Sequence, residues 1–261
     1  MSTFLKPRTL AEVMEALRDG RDGTSVPYAG GTDLMVLWKR HGRPFPEVVV
    51  DLKDVAELGT IAVDGRFLVI GACTALSTIA ANADVRAHCP VLAEAAGVVA
   101  CPQVRNRATI GGNLCNASPA ADGVPPLLAV DAAVELASVG GVERRPLADF
   151  LCSNRLTARR PDQLLTAVVV PKPRTQRAIS HFLKLGARHD LVISIAMVGV
   201  GLEIDLRGQI ARARIAVGAC APVARRLPAA EAAVTGQALD PELGQRVQPA
   251  HLAPLDPIED L

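Results

Sequence analysis

Apolar positions in the first fifty residues alternate between helix-like and strand-like spacing. Within residues 10–17 they follow an i, i+3, i+4, i+7 stripe, and Thr9 with Glu12 forms a capping-box pattern in front of it. The pattern predicts, in order, a helix over 10–17, a strand over 26–29, a helix over 34–40 and a strand over 48–51. Strands and helices in this order predict a small α/β layer.

After residue 55 the spacing of the apolar residues becomes typical of β-hairpins. Apolar runs on both sides of Asp64-Gly65 and of Gly140-Gly141 predict two β-hairpins. An alanine-rich stretch over 77–97 predicts helix broken at Pro90, and a polar stretch over 102–121 predicts irregular structure. A break at residues 171–174, rich in proline and basic residues, marks a boundary. The remaining predicted elements are strands over 164–170, 179–185, 197–204 and 210–217 and a helix over 229–234.

Composition and charge narrow the classes of function. Of the 261 residues, 49% are apolar, and 28 Lys and Arg balance 27 Asp and Glu to a net charge of +1. This balance argues against a large surface for nucleic acid or anionic membrane. The longest nearly uncharged run, 191–202, is shorter than the about 20 residues that a membrane span needs. Six scattered cysteines without a C-x-x-C pair argue against a metal site in this chain. We expect a cytoplasmic protein.

The first candidate site is a glycine turn between a predicted strand and a predicted helix, Ala29-Gly30-Gly31-Thr32-Asp33-Leu34. Adjacent glycines let the backbone approach an anion, and the following helix offers amides and a positive dipole end, so a phosphate is the natural ligand. The segment matches neither the P-loop nor the dinucleotide glycine fingerprint. A tight turn without a ligand is the alternative interpretation.

A second glycine turn, Thr109-Ile110-Gly111-Gly112-Asn113, lies within the long polar stretch. Such a stretch is uncommon in a compact domain unless it binds something. Together the two turns could hold one extended phosphorylated ligand from two sides. Two unrelated turns remain the alternative.

These segments resemble the FAD-binding subunit of the xanthine oxidase and carbon monoxide dehydrogenase family of molybdenum hydroxylases. Residues 6–12 with 29–34 resemble the first FAD motif of that family, and 103–122 resemble the second. Phe182, Lys184, Arg188, the pair Ile195-Ala196 and residues 213–231 resemble its C-terminal domain. The resemblance covers nearly the whole chain.

The resemblance implies an α+β fold. A two-lobed FAD-binding domain of the vanillyl-alcohol oxidase-like (PCMH) type would occupy residues 1–174, with lobes at about 1–54 and 55–174. A small α+β domain of the carbon monoxide dehydrogenase flavoprotein type would occupy residues 175–261. Because family members usually continue beyond the position of the last residues here, the resemblance implies that this second domain is either truncated or a naturally short variant.

The resemblance also implies which residues contact FAD. Both turns would wrap the pyrophosphate and ribityl chain, Asp122 would accept a hydrogen bond from the flavin chain or ring, and Leu165 and Lys184 match FAD-contacting positions. Val99 stands where some relatives carry an aromatic residue, and the role of the loop around His189 is open. The implied set is Tyr28, Ala29, Gly30, Gly31, Thr32, Asp33, Leu34, Thr109, Ile110, Gly111, Gly112, Asn113, Asp122, Leu165 and Lys184.

In that family electrons leave the complex from the FAD subunit. The resemblance therefore implies a molybdopterin-binding large subunit and a [2Fe–2S] small subunit as partners, in a dimer of heterotrimers, with electrons leaving FAD for an external acceptor. Two alternatives stay open: a free-standing FAD-dependent reductase of the same superfamily, and a non-catalytic nucleotide-binding regulatory module. The sequence leaves the hydroxylated substrate and the terminal acceptor open.

Overall fold

The N-terminal unit is a three-stranded parallel sheet with a helix packed on it. The computed structural model describes residues 2–19, 24–40, 42–175, 177–188 and 191–257, so His189 lies outside the described residues. The strands are β1 (Thr3–Leu5), β2 (Ser25–Tyr28) and β3 (Val48–Asp51), in the order β1-β3-β2, and the helices are α1 (Leu10–Asp19) and α2 (Leu34–Arg40). The predicted helices and strands of this layer are confirmed. Strand β1 was not predicted, because it is short and exposed and carries no alternation.

Helix α1 begins at a capping arrangement that differs slightly from the predicted one. The Glu12 amide donates to the Thr9 hydroxyl at 3.3 Å, as expected. The Glu12 carboxylate, however, accepts from the amide of Arg8 at 2.7 Å rather than from Thr9 itself. The apolar face of the helix packs Val13 and Leu17 against the core side of the sheet, and both are fully buried.

The second unit is a five-stranded antiparallel sheet. Both predicted hairpins are confirmed, and Gly65 and Gly141 take positive φ at their turns. The strand order is β4-β5-β10-β6-β7. The strands are β4 (Ile61–Asp64), β5 (Phe67–Gly71), β6 (Ala133–Ser138), β7 (Gly141–Pro146) and β10 (Leu164–Pro171), with a small hairpin of β8 (Leu151–Ser153) and β9 (Leu156–Thr157) beside them.

Helices fill the connection between the two halves of this sheet. They are α3 (Leu76–Ala81), α4 (Ala83–His88), α5 (Pro90–Val98), α6 (Pro102–Arg105), α7 (Ile110–Asn116) and α8 (Val124–Ala129), and a further short helix, α9 (Leu147–Phe150), follows β7. Pro90 is the first residue of α5, where its missing N–H needs no acceptor. The prediction of irregular structure over 102–121 was wrong in part, because α6 and α7 occupy much of it. Thr109 accepts from the Gly112 amide at 3.1 Å and so starts α7 despite its two glycines.

The third unit is a four-stranded antiparallel sheet in the order β11-β12-β13-β14. Its elements are β11 (Ala178–Leu185), β12 (Ala196–Ile204), β13 (Ile210–Gly218), β14 (Arg225–Arg226) and α10 (Pro228–Val234), followed by short 3₁₀ helices at Leu243–Arg246 and Pro249–Leu252. The predicted strands and helix are confirmed. Helix α10 packs its residues Ala230 and Val234 on one face of the sheet. No helix among the described residues is long and apolar enough to span a membrane.

The opposite face of the third sheet carries glycines, and α8 lies directly on them. A Cβ at Gly199 would lie 2.8 Å from the carbonyl oxygen of Pro125, and one at Gly201 would lie 2.7 Å from that of Ala129. Neither glycine position has room for a side chain, because the backbone of β12 lies directly against the backbone of α8. Nearby, the Phe182 amide donates to the Glu94 carboxylate at 2.8 Å. The third sheet is therefore fixed on the second unit by close packing and by hydrogen bonds.

An ion cluster reinforces this junction. Asp131, which follows α8 with a φ of +51°, accepts from Arg214 and from Arg226, the latter at 2.7 Å. Arg226 also pairs with Glu231 on α10. Burial acts to raise the pKa of Asp131, but the hydrogen bonds and charges of Arg214 and Arg226 outweigh burial and lower it.

We expect Gly199→Ala to lower the free energy of unfolding by about 2 kcal/mol, because the added methyl group must displace the backbone at Pro125. The measurement is urea unfolding followed by circular dichroism. The control is Gly97→Ala in α5, where no atom beyond the neighbouring backbone of the helix lies within 4 Å of the added Cβ, and this change should stabilise the helix slightly. Equal effects of the two substitutions would contradict the close packing of α8 on β12.

Candidate functional site

A cavity of about 480 Å³ lies between the N-terminal unit and the second sheet, and both glycine turns line it. The two turns are about 80 positions apart in the sequence but adjacent in the fold. The sequence-predicted residues that line the cavity are Ala29, Gly30, Gly31, Thr32, Asp33, Leu34, Thr109, Gly111, Gly112, Asn113 and Leu165.

The first turn rests directly on the backbone that precedes the second. A Cβ at Gly30 would overlap the carbonyl oxygen of Arg107, so only glycine permits this approach. Gly31 takes a φ of +72° with its Cα against the Tyr28 ring, and that ring stacks on Trp38 at a centroid distance of 6.2 Å. Tyr28 thus supports the turn from behind and does not line the cavity.

The backbone amides of the first turn are open. The carbonyls of Gly31 and Asp33 accept the first hydrogen bonds of α2, both at 3.0 Å. The amides of the four residues from Gly30 to Asp33 donate to no acceptor among the residues that the structure describes. Unpaired backbone donors beside a cavity favour a ligand that brings acceptors, such as a phosphate.

The amides of the second turn are already used. The Ile110 amide donates to the Thr74 carbonyl at 3.1 Å, and the Gly111 amide donates to the Ala72 carbonyl at 2.8 Å. The Gly112 amide donates to the Thr109 hydroxyl. The two turns are therefore not equivalent: the first offers hydrogen-bond donors, and the second offers a rigid surface without side chains. Ile110 is fully buried and anchors α7 in the core.

One buried side-chain oxygen in the cavity wall has no partner. Oδ1 of Asn113 is buried, and no donor reaches it within the described part of the chain. Leaving such an acceptor unpaired costs about 1–3 kcal/mol. The oxygen packs against Gly123, because a Cβ on that glycine would lie 2.6 Å from it, and so it is not open to the cavity.

Three arginines give the cavity a positive charge. Arg43, Arg155 and Arg159 line it, whereas Asp33 is its only carboxylate among the described residues. Arg155 holds Asp33 at 3.3 Å and also donates to Asn116. These arginines were missed in the sequence, because no motif connects them and only the fold brings them together. Guanidinium groups in such a place favour an anionic ligand.

The Cys73 side chain contributes apolar surface to the cavity and is not a reactive group. Burial, with a smaller effect from the charge of Asp51, raises the pKa of the Cys73 thiol to about 12. The thiol is therefore neutral near pH 7 and is a poor nucleophile.

Two predicted residues, Asp122 and Lys184, lie outside the cavity lining and bind each other. Their carboxylate and ammonium groups are 2.7 Å apart, with 6% and 14% of the side chains exposed. The Ser194 hydroxyl donates to the other oxygen of Asp122 at 2.6 Å. This pair connects the loop before α8 to strand β11, so the third sheet reaches the neighbourhood of the second turn.

Comparison with known families settles the class of protein. The family model "FAD binding domain in molybdopterin dehydrogenase" matches residues 1–173. The model "CO dehydrogenase flavoprotein C-terminal domain" matches residues 181–261. The chain belongs to the FAD-binding subunits of the molybdenum hydroxylases. The predicted resemblance, the oxidoreductase class and FAD as the cofactor of this chain are thereby confirmed.

Individual relatives agree with this assignment. The nicotinate dehydrogenase FAD-subunit of Eubacterium barkeri is 36% identical over 78% of this chain and 70% of its own length. The xanthine dehydrogenase FAD-binding subunit of Escherichia coli O157:H7 is 32% identical over 88% of this chain and 78% of its own. The carbon monoxide dehydrogenase structure from Hydrogenophaga pseudoflava matches with a TM-score of 0.92 and 30% identity, over 99% of this chain and 88% of that one. The mixed helix and sheet fold is therefore similar to that of a carbon monoxide dehydrogenase medium chain.

The residues of the cavity fit FAD. Open amides at the first turn and arginines around it suit a diphosphate. The apolar side chains of Val99 and Leu165 line the cavity and could pack against a ring system.

We expect Lys184→Met to lower the free energy of unfolding of the FAD-free chain by about 3 kcal/mol, because Asp122 would stay buried without its cation. Denaturant unfolding measures the loss. The control is Asp162→Asn, which breaks the exposed pair with Arg160 and should cost less than about 0.5 kcal/mol. If the two variants unfold alike, the Asp122–Lys184 pair does not stabilise the junction.

Proposed function

We propose that the cavity between the two turns is the FAD site. The open amides from Gly30 to Asp33, together with Arg155 and Arg159, would hold the diphosphate. Asn113 would line the site beside Gly112. Ala29, Leu34, Thr109, Gly111, Gly112 and Leu165 complete the lining, and Tyr28 and Ile110 keep the turns in place. Asp122 and Lys184 are proposed at the polar edge of the ring system, beyond the lining.

The same proposal divides the chain into two domains. The FAD-binding domain, of the PCMH type, comprises residues 1–174 with lobes at about 1–54 and 55–174, and the C-terminal domain comprises residues 175–261. The supporting observation is that the two family models end and begin near this boundary. In addition, the first, second and third sheets share no strand.

We propose that the chain is the electron-transfer subunit of a molybdenum hydroxylase complex, which takes electrons from a [2Fe–2S] small subunit and delivers them to an external acceptor. A molybdopterin-binding large subunit would complete a heterotrimer, and two heterotrimers would pair. The observation that carries this proposal is the match of both family models along nearly the whole chain. Among the described residues, no group of three or more His, Cys, Asp or Glu side chains could hold a metal. This supports placing the metal centres on partners.

The residues of this chain would bind and orient rather than react. A bound flavin supplies both one-electron and two-electron chemistry. Apolar side chains such as Val99 and Leu165 would keep water from the ring, and the neutral thiol of Cys73 would form no covalent bond. Direct electron transfer needs no acid or base from the protein, so the loop around His189 requires no catalytic role in this proposal.

We expect Gly112→Val to abolish stoichiometric FAD binding, because its side chain would enter the cavity where only the Thr109 hydroxyl lies near an added Cβ. Gly31→Val is a weaker test, since a φ of +72° strains valine with or without a ligand. The ratio of flavin to protein absorbance in the purified chain measures the loss. The control is Gly244→Val in an exposed 3₁₀ helix, with open space around it. A Gly112→Val chain with one FAD per molecule would refute the assigned site.

A second experiment tests the role in electron transfer. The FAD-loaded chain is mixed with a [2Fe–2S] partner that has been reduced with dithionite and freed of excess reductant. Loss of the flavin absorption band and its return on adding an artificial dye acceptor are the expected result. Turnover of a substrate by the isolated chain would favour a free-standing reductase. A chain that never takes up FAD would favour a regulatory module.

A further inference from the structure

A second cavity, of about 410 Å³, lies where the third sheet meets the second, and it shares no lining residue with the FAD cavity. Its walls come from the β4–β5 hairpin, the end of α4, the segment after α8, the connection 171–174 and strands β11 to β13. Its size falls within the about 300–1,000 Å³ that small-molecule sites occupy.

The deep part of this cavity is electrically balanced. Arg212 and Arg214 of β13 face Asp131 and Glu203, with Arg212 at 3.5 Å and 3.7 Å from the two carboxylates. Arg214, whose side chain is almost buried, contacts the same two acids. These pairs neutralise one another and give the cavity a rigid floor.

The rim of the cavity carries an uncompensated positive charge. Arg66, Lys172 and Arg174 line it, and none of them has a carboxylate partner among the residues that the structure describes. The fold places them together, because the Lys172 amide donates to the Arg66 carbonyl at 2.8 Å and Pro171 is paired with Phe67 across β10 and β5. In all, five cationic side chains face two carboxylates.

Apolar surface adjoins this basic rim. The side chains of Phe67 and Ile179 line the same cavity and are partly exposed. Arg144 covers one face of the Phe67 ring, at 5.2 Å from its centroid, so the ring is held in place. A ligand with a charged end and a less polar body could contact the basic rim with its charged end and the apolar side chains with its body.

We propose that this second cavity binds a small phosphorylated molecule, with its phosphate on Arg66, Lys172 and Arg174 and its body against Phe67 and Ile179. Guanidinium and ammonium groups match the oxygens and the double charge of a phosphate. Because the rim includes the connection between the two domains, the ligand would contact both. This site is additional to the FAD site and does not depend on the proposed electron transfer.

The test uses the FAD-loaded full chain and inorganic pyrophosphate as the probe, in isothermal titration calorimetry. We expect saturable binding of one pyrophosphate per chain. The double variant Arg66→Gln, Arg174→Gln should weaken binding at least about tenfold. The control is Arg207→Gln, an exposed arginine in the β12–β13 turn that lines neither cavity, and it should leave the affinity unchanged. Both substituted arginines of the double variant are exposed, so the fold should persist.

Three results would overturn the proposal: no saturable binding to the unmodified chain, equal weakening in the double variant and the control, or tighter binding of a short polyglutamate peptide than of pyrophosphate. The last result would make the cavity a docking site for an acidic segment. The flavin content of every sample is measured in parallel. Binding is scored only in samples that keep one FAD per chain, because pyrophosphate in an emptied FAD cavity would bind the open amides from Gly30 to Asp33 instead.

Discussion

The contact between Gly30 and the carbonyl oxygen of Arg107 determines how the site is built. It brings a turn of the N-terminal sheet onto the backbone that leads into α7, across nearly 80 positions of sequence. No other residue type fits there, because any Cβ would overlap the carbonyl group. The cavity and the open amides of the first turn lie where these two backbone segments meet.

The two glycine turns look alike in the sequence but have different roles. At the first turn the amides are free and can bind acceptors of a ligand. At the second, Ala72, Thr74 and Thr109 use the amides to fix α7, and what faces the cavity is Gly112 without a side chain. The first turn thus provides hydrogen-bond donors for a ligand, and the second turn determines the shape of the cavity. The third sheet is attached by a similar backbone contact, at Gly199 against α8.

Most of the fold could be predicted from local signals. The hairpin at Asp64-Gly65 and the alternation along β12 and β13 are local patterns, and the structure has them where the pattern places them. Helices α6 and α7 were not predicted, since adjacent glycines and polar residues outweighed the capping signal of Thr109. Arg155 and the Asp122–Lys184 pair could not be predicted from spacing, because their partners are between 39 and 122 positions away.

The hydrogen bonds within the second turn have a consequence for exchange of the cofactor. Because α7 is capped by Thr109 and fixed to Ala72 and Thr74 by bonds within the protein, its geometry does not depend on a ligand. A chain stripped of flavin would keep the second turn in place, and little ordering entropy would be lost there on refilling. Such a scaffold is suited to reconstitution with chemically altered flavins, whose redox potentials could then be varied without redesigning the protein.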